Sequence, residues 1–218
     1  MCGYSQPQAL WNRLKEIGMI QDAYRFLIPA LLLGILFVAL NFTYAAVFFF
    51  ILSLFIISFF RNPFRRIPEG KNLIVSPADG KIVKISQTEI GEHCISIFMN
   101  IFNVHVNRSP IAGELEQLQY KRGKFKVAFD EEASNVNEQN IITISGEDIQ
   151  VTLKQVAGLI ARRVVCWKQP GSKMERGELI GLIRFGSRVD IILPEEVRIL
   201  VSVGDKVCGG SSVLGDYK

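Results

Sequence analysis

The chain is poor in the residues that build metal sites and disulfide scaffolds. Its 218 residues include two histidines and four cysteines, Cys2, Cys94, Cys166 and Cys208, scattered with no CxxC or other ligand spacing. A His-rich metal centre, a zinc ribbon and a disulfide framework are all disfavoured, and no metal site is expected. A Gly-rich phosphate cradle is also missing, which argues against a bound phosphate cofactor. Charge of one sign is scarce too: 25 Lys and Arg against 21 Asp and Glu leave a net +4. That excess is too small to imply nucleic acid, although it is favourable beside anionic lipid headgroups. At 49% hydrophobic, 21% charged and a mean hydropathy of +0.24, the chain is rich for a soluble protein and too charged for a polytopic membrane protein. It reads as two unlike regions joined.

The longest absence of charge lies near the N-terminus. Phe26 to Phe60 contains no Asp, Glu, Lys, Arg or His and holds nine of the fifteen Phe. As one helix its 35 residues would span roughly 52 Å, far more than a bilayer core of about 30 Å. Asn41, Phe42, Thr43 and Tyr44 interrupt the run and leave apolar halves of 15 and 16 residues, so a tight or shallow membrane helical hairpin is expected over 26–60. Arg13, Lys15 and Arg25 precede it and Arg61, Arg65 and Arg66 follow, which assigns both flanks to the cytoplasm and the protein to the cytoplasmic face of the cell membrane. Residues 1–25, with Leu10, Trp11, Leu14, Ile17, Ile20 and Tyr24 at helical spacing, read as an interfacial amphipathic segment or, equally, as a helix packed on a core. The run is too long for a signal peptide and lacks a small-residue cleavage site.

From residue 61 onward the pattern is short β-branched and aromatic runs broken by Gly, Pro, Asn and Asp. This predicts a β-dominated (all-β or α+β) domain over 61–218. Strands are expected at 73–75, 80–86, 94–107, 114–121, 140–145, 148–156, 163–167, 179–185, 187–192 and 199–201. Two similar turns, Glu175-Arg176-Gly177-Glu178 and Val203-Gly204-Asp205-Lys206, suggest barrel-sandwich-like hairpins.

Three Gly-Ser pairs occur, and two sit in evident turns at 171–172 and 210–211. The third, Gly186-Ser187, lies inside a continuous apolar stretch from 177 to 194, where a Gly marks a bulge or a close backbone approach.

The surrounding residues, Ile183-Arg184-Phe185-Gly186-Ser187-Arg188-Val189-Asp190, resemble the self-cleavage motif of the short (archaeal-type) class of pyruvoyl-dependent phosphatidylserine decarboxylases. The resemblance extends, in the family's order, through Phe60-Arg61-Asn62-Pro63-Phe64-Arg65, Ser76-Pro77-Ala78-Asp79-Gly80 and Asn103-Val104-His105-Val106-Asn107-Arg108-Ser109-Pro110. It continues through Ala133-Ser134-Asn135-Val136-Asn137-Glu138-Gln139-Asn140 and Gln155-Val156-Ala157-Gly158-Leu159-Ile160-Ala161-Arg162-Arg163, covering about residues 60 to 194.

The resemblance implies a proenzyme in which Ser187 Oγ attacks the carbonyl of Gly186, followed by β-elimination and hydrolysis. A large subunit, 1–186, and a small one, 187–218, would stay paired, the latter beginning with a pyruvoyl group made from Ser187. That cofactor would form a Schiff base with the amine of phosphatidylserine in the membrane and take up the electrons released with carbon dioxide, giving phosphatidylethanolamine. It further implies that Asp79 orients or acts as base for cleavage and that His105 transfers protons, a role suited to a group titrating near neutrality. On alternation alone, Asn103, His105 and Asn107 would share one strand face. Phe102 stands where the family's longer class carries a further His and cannot move a proton. Arg108 and Arg188, with Arg162 and Arg163, are candidates for the lipid phosphate. A reading from another class is a membrane-tethered barrel-sandwich carrier or interaction module, although Lys206 lacks the residues that usually flank a lipoyl or biotinyl lysine.

Overall fold

The computed structural model describes residues 18–88, 90–123, 137–158, 164–184 and 187–218. Gly186, Arg162, Arg163, most of the 1–25 segment and parts of the two motifs beginning at Ala133 and Gln155 lie outside the described residues. The chain divides into two compact units, one ending at Phe64 and one beginning at Arg65.

In the first unit a helical turn at Gln21–Ala23 leads into α1 (Tyr24–Ala39), and α2 (Thr43–Phe59) follows after Leu40, Asn41 and Phe42. The reversal depends on Asn41, a residue that tolerates the left-handed region and here takes φ 59°. The helices pack through Gly34, where an added Cβ would meet the Phe50 ring at 3.2 Å, and through the stacked rings of Phe37 and Phe49, 5.5 Å apart. The mouth of the hairpin is closed by two short strands, β1 (Gly18–Met19) and β2 (Arg61–Asn62), paired antiparallel. Helices of 16 and 17 residues span only about 24–26 Å at about 1.5 Å per residue. Their outer faces are apolar: Leu32, Phe48, Ile51 and Leu54 are each at least 60% exposed.

In the second unit every described regular element is a strand. The chain runs through β3 (Leu73–Val75), β4 (Gly80–Gln87), β5 (His93–Met99), β6 (Val106–Arg108), β7 (Gly113–Lys121), β8 (Gln139–Ser145) and β9 (Gln150–Val156). It continues through β10 (Val164–Cys166), β11 (Lys173–Met174), β12 (Leu179–Ile183), β13 (Ser187–Leu193), β14 (Arg198–Ile199), β15 (Lys206–Val207) and β16 (Val213–Asp216). Eight of these form one antiparallel sheet in the order β11-β7-β8-β9-β13-β5-β4-β15, beside two three-stranded sheets, β10-β12-β6 and β14-β16-β3. The β-dominated expectation is met, with an open main sheet as its centre. The turn glycines Gly177 and Gly204 take φ +78° and +104°, which L side chains rarely adopt. Lys206 is not at the tip of its turn; it is the first residue of β15, opposite Lys81.

Strand alternation builds the core. Ile95, Ile97 and Met99 of β5, Val189, Ile191 and Leu193 of β13, Val151 and Leu153 of β9, and Ile142 and Ile144 of β8 all lie within one buried cluster with Ile74, Ile180 and Leu214. One expected strand is corrected: 94–107 is two strands separated by a turn. Asn103 Oδ1 accepts from the Asn100 N–H at 2.9 Å, and Asn100 Oδ1 accepts from the Phe102 N–H at 2.9 Å. These side chains capture backbone donors that a strand ladder would use.

Candidate active site

Ser187 opens β13, the strand held between β9 and β5, and is fully buried. Its cross-strand partner is Met99, the last residue of β5. Period-two alternation directs Ser187 to the same face as Val189, Ile191 and Leu193, so a hydroxyl occupies a position at which packing favours hydrocarbon. Ser187 Oγ donates to Met99 Sδ at 3.6 Å, and a thioether is a weak acceptor.

Arg188 and Asp190 project to the opposite face of β13 and are both nearly buried. Arg188 Nη2 donates to Asp190 Oδ2 at 3.2 Å and Nε lies 2.9 Å from Oδ1, so the two buried charges form an ion pair. Arg188, a sequence candidate for lipid phosphate, is thus engaged with Asp190 on the face away from Ser187. Burial and, next, the Asp190 charge push the neighbouring Cys94 thiol up to about 11.

Asp79 follows the Ser76-Pro77-Ala78 bend, which is pinned by Ser76 Oγ donating to the Ala78 carbonyl at 2.7 Å. Its carboxylate accepts from Arg65 Nη2 at 2.6 Å and from the Gly209 N–H at 2.7 Å. A Cβ at Gly209 would stand 3.3 Å from the Ala78 backbone and 3.4 Å from that carboxylate, so the missing side chain permits the close approach. Asp79 therefore joins residues on either side of the Gly186-Ser187 bond.

His105 is buried immediately before β6, and its backbone carbonyl accepts from the Ile183 N–H at 3.2 Å. Its Nδ1 lies 2.9 Å from the Asn103 carbonyl oxygen. A carbonyl accepts and cannot donate, so this contact assigns the proton to Nδ1 and makes Nε2 the basic nitrogen of the neutral ring. Nδ1 is thus oriented by a main-chain carbonyl, while the hydrogen-bond partners of Asp79, among the described residues, are Arg65 and Gly209. The shared polar strand face of Asn103, His105 and Asn107 does not form, because Asn103 lies in the turn. Phe102, in the same turn, is 73% exposed. Arg108 is buried in β6 and donates from Nη1 to the Gly177 carbonyl at 2.8 Å.

Sequence reasoning missed a set of buried amides beside the serine. Asn140 Nδ2 donates to Gln155 Oε1 at 3.0 Å, and Gln155 Nε2 donates to Asn107 Oδ1 at 2.8 Å. A signal was present: Gln155 follows Val151 and Leu153, and Asn140 precedes Ile142 and Ile144, so each interrupts an apolar face at period two. Among the described residues no group of three or more His, Cys, Asp or Glu could hold a metal.

Comparison with known proteins bears on this site directly. The family model described as phosphatidylserine decarboxylase matches residues 52–215, a span that contains Asp79, His105 and the whole of β13. A protein of Solibacter usitatus named phosphatidylserine decarboxylase proenzyme is 51% identical over 164 residues, covering 75% of this chain and 79% of that protein. One of the same name from Carboxydothermus hydrogenoformans is 41% identical over 213 residues, covering 94% of this chain and all of that protein. A third, from Syntrophus aciditrophicus, is 47% identical over 172 residues, with coverage of 76% and 81%. With a buried serine opening the central strand and a family match across most of its length, the chain belongs to the phosphatidylserine decarboxylase family.

Proposed function

We propose that this chain decarboxylates phosphatidylserine to phosphatidylethanolamine, using a pyruvoyl group that it generates by cutting itself between Gly186 and Ser187. The observation that carries the reading is Ser187 itself, a fully buried hydroxyl on the apolar face of the central strand whose hydrogen bond ends on sulphur. A fold gains little from such a group, and chemistry gives it a reason. A pyruvoyl group has fewer heavy atoms than the serine residue it replaces, so the packed space around Ser187 accommodates it. Its ketone supplies the sink for the electron pair that is left when carbon dioxide departs.

The chain's own residues supply the proton chemistry. His105, with its proton fixed on Nδ1 by the Asn103 carbonyl, offers Nε2 as the base that takes the Ser187 hydroxyl proton. Asp79, ionised against Arg65 and tied to Gly209, holds the two sides of the cut in register during cleavage.

The hairpin supports a lipid substrate. Large apolar side chains on the outer faces of both helices are the surface expected against acyl chains, and α1 with its preceding turn, Gln21–Ala39, has the length and composition of a membrane span. Pairing of β1 with β2 returns the chain beside its point of entry, so Arg25 and Arg61, which flank the two helices, fall at the same end of the hairpin, the end that the positive-inside rule assigns to the cytoplasm. Anchoring beside a substrate that stays in the bilayer replaces a three-dimensional search by a held approach.

Intact-mass measurement of the purified protein tests the reading. Two species are expected, residues 1–186 and 187–218, the smaller blocked to Edman sequencing because it starts with a ketoacyl group. A preparation that is fully active and uncut would overturn it.

A further inference from the structure

The buried amides form a directed chain that ends at Met99 Sδ, the sulphur to which Ser187 also donates. Asn140 occupies the oxygen of Gln155, and Gln155 occupies the oxygen of Asn107, so each amide turns its NH2 onward. Among the described residues, the acceptor of Asn107 Nδ2 is Met99 Sδ at 4.0 Å, the same sulphur that receives the Ser187 hydroxyl. Asn107, Gln155 and Asn140 are 2%, 1% and 5% exposed, so water does not relieve the mismatch. A buried N–H donor held at such distance from a weak acceptor is costly, unless an oxygen reaches it at some stage of the protein's work.

We propose that Asn107 Nδ2–H is an oxyanion donor for self-cleavage, aimed by Gln155 and Asn140. The proposal rests on the cleavage reading above. When Ser187 Oγ bonds to the carbonyl carbon of Gly186, the hydroxyl proton passes to the base and the carbonyl π pair moves onto oxygen. That oxygen shares a carbon with Oγ, and Oγ contacts the same Met99 sulphur that Asn107 Nδ2 approaches. Asn107 lends a hydrogen bond and transfers no proton. Collapse then breaks the C–N bond, the nitrogen of Ser187 leaves with a proton, and an ester remains. A fixed donor in a dry site stabilises such charge far better than it would in water. Asn107 touches a reacting atom, whereas Gln155 and Asn140 are positioning residues.

The test follows cleavage rather than lipid turnover. Full-length chains are made by pulse-labelled cell-free translation, and the cut fraction is read on a gel over time at several pH values. Asn107→Leu should cleave about 100-fold more slowly than wild type, the size of effect seen when one oxyanion donor is removed. Gln155→Leu should slow cleavage less, because the donor remains but loses its aim. Asn107→Asp separates chemistry from packing: its rate relative to wild type should be lowest at neutral pH and rise as pH falls, since the protonated carboxyl regains a donor and the carboxylate repels an oxyanion. Wild-type rates in Asn107→Leu, or, should that variant not fold, an Asn107→Asp ratio flat with pH, would overturn the assignment while the cleavage reading stands. A wild-type chain that never cuts yet converts phosphatidylserine would remove both.

Discussion

Met99 and Ser187 face each other across β5 and β13, and the serine hydroxyl donates to the methionine sulphur at 3.6 Å. A hydroxyl bonded to so weak an acceptor contributes little to folding, so Ser187→Ala should have a stability within about 1 kcal/mol of the uncut wild-type precursor. The same change should abolish cleavage and activity. Thermal unfolding and a denaturing gel, run side by side, check both halves; cleavage by the alanine variant would exclude Ser187 as the nucleophile.

Asp79 and His105 should fail alike in the first reaction and differ in the second. Asp79→Asn and His105→Ala are each expected to accumulate uncut chain, and product formed per cleaved molecule should fall further in His105→Ala, since exposed Phe102 offers no substitute proton. Normal cleavage by Asp79→Asn would confine that carboxylate to its structural ties with Arg65 and Gly209.

Once cut, the two pieces should not separate under native conditions. The small piece contributes β13, paired on one edge with β5 and on the other with β9, together with β15 on β4 and β16 on β3. Its inward side chains Val189, Ile191 and Leu193 are fully buried, each worth about 1.5–3 kcal/mol relative to exposure. Size-exclusion chromatography should give one peak until denaturant is added.

Deleting residues 1–60 should leave a folded β unit that no longer sediments with membranes. The second unit begins at Arg65 and has its own buried core, and the exposed apolar helices are removed. Circular dichroism should retain the strand signal, and unchanged sedimentation would assign the anchor to the β unit.

Alkaline pH should weaken the fold through Cys94. Its thiol is raised from 9.0 to about 11 by burial and then by Asp190, so the folded chain keeps a proton that the unfolded chain releases. Stability from this group is whole below about pH 9 and is lost as pH rises toward 11. Unfolding midpoints in that window should fall less in Cys94→Ala than in wild type. Peptide mapping after iodoacetamide at pH 8 should find exposed Cys208 alkylated well before Cys94.

The sequence by itself determined the local periods: an uncharged run broken near Asn41, and short alternating strands whose centres at 73–75, 80–86 and 187–192 stand where the structure has β3, β4 and β13. Those features are legible because hydrophobic period and breakers act within a few residues. It could not tell that 94–107 is interrupted, because the Asn103 and Asn100 side chains decide that by capturing the backbone N–H groups of Asn100 and Phe102 rather than by hydropathy. Nor could it rank Arg188, whose neighbour in space is Asp190 across a buried face. The partners of the site are set by long-range pairing alone. Met99 meets Ser187 across 88 residues of chain, Gln155 meets Asn107 across 48, and Asp79 reaches Gly209 across 130. Because β13 is buried on both faces, alternation assigns no unique neighbour to it. Tertiary structure made that choice, by closing β9 and β5 around the strand so that a serine, a thioether and an outward-turned amide share one dry space.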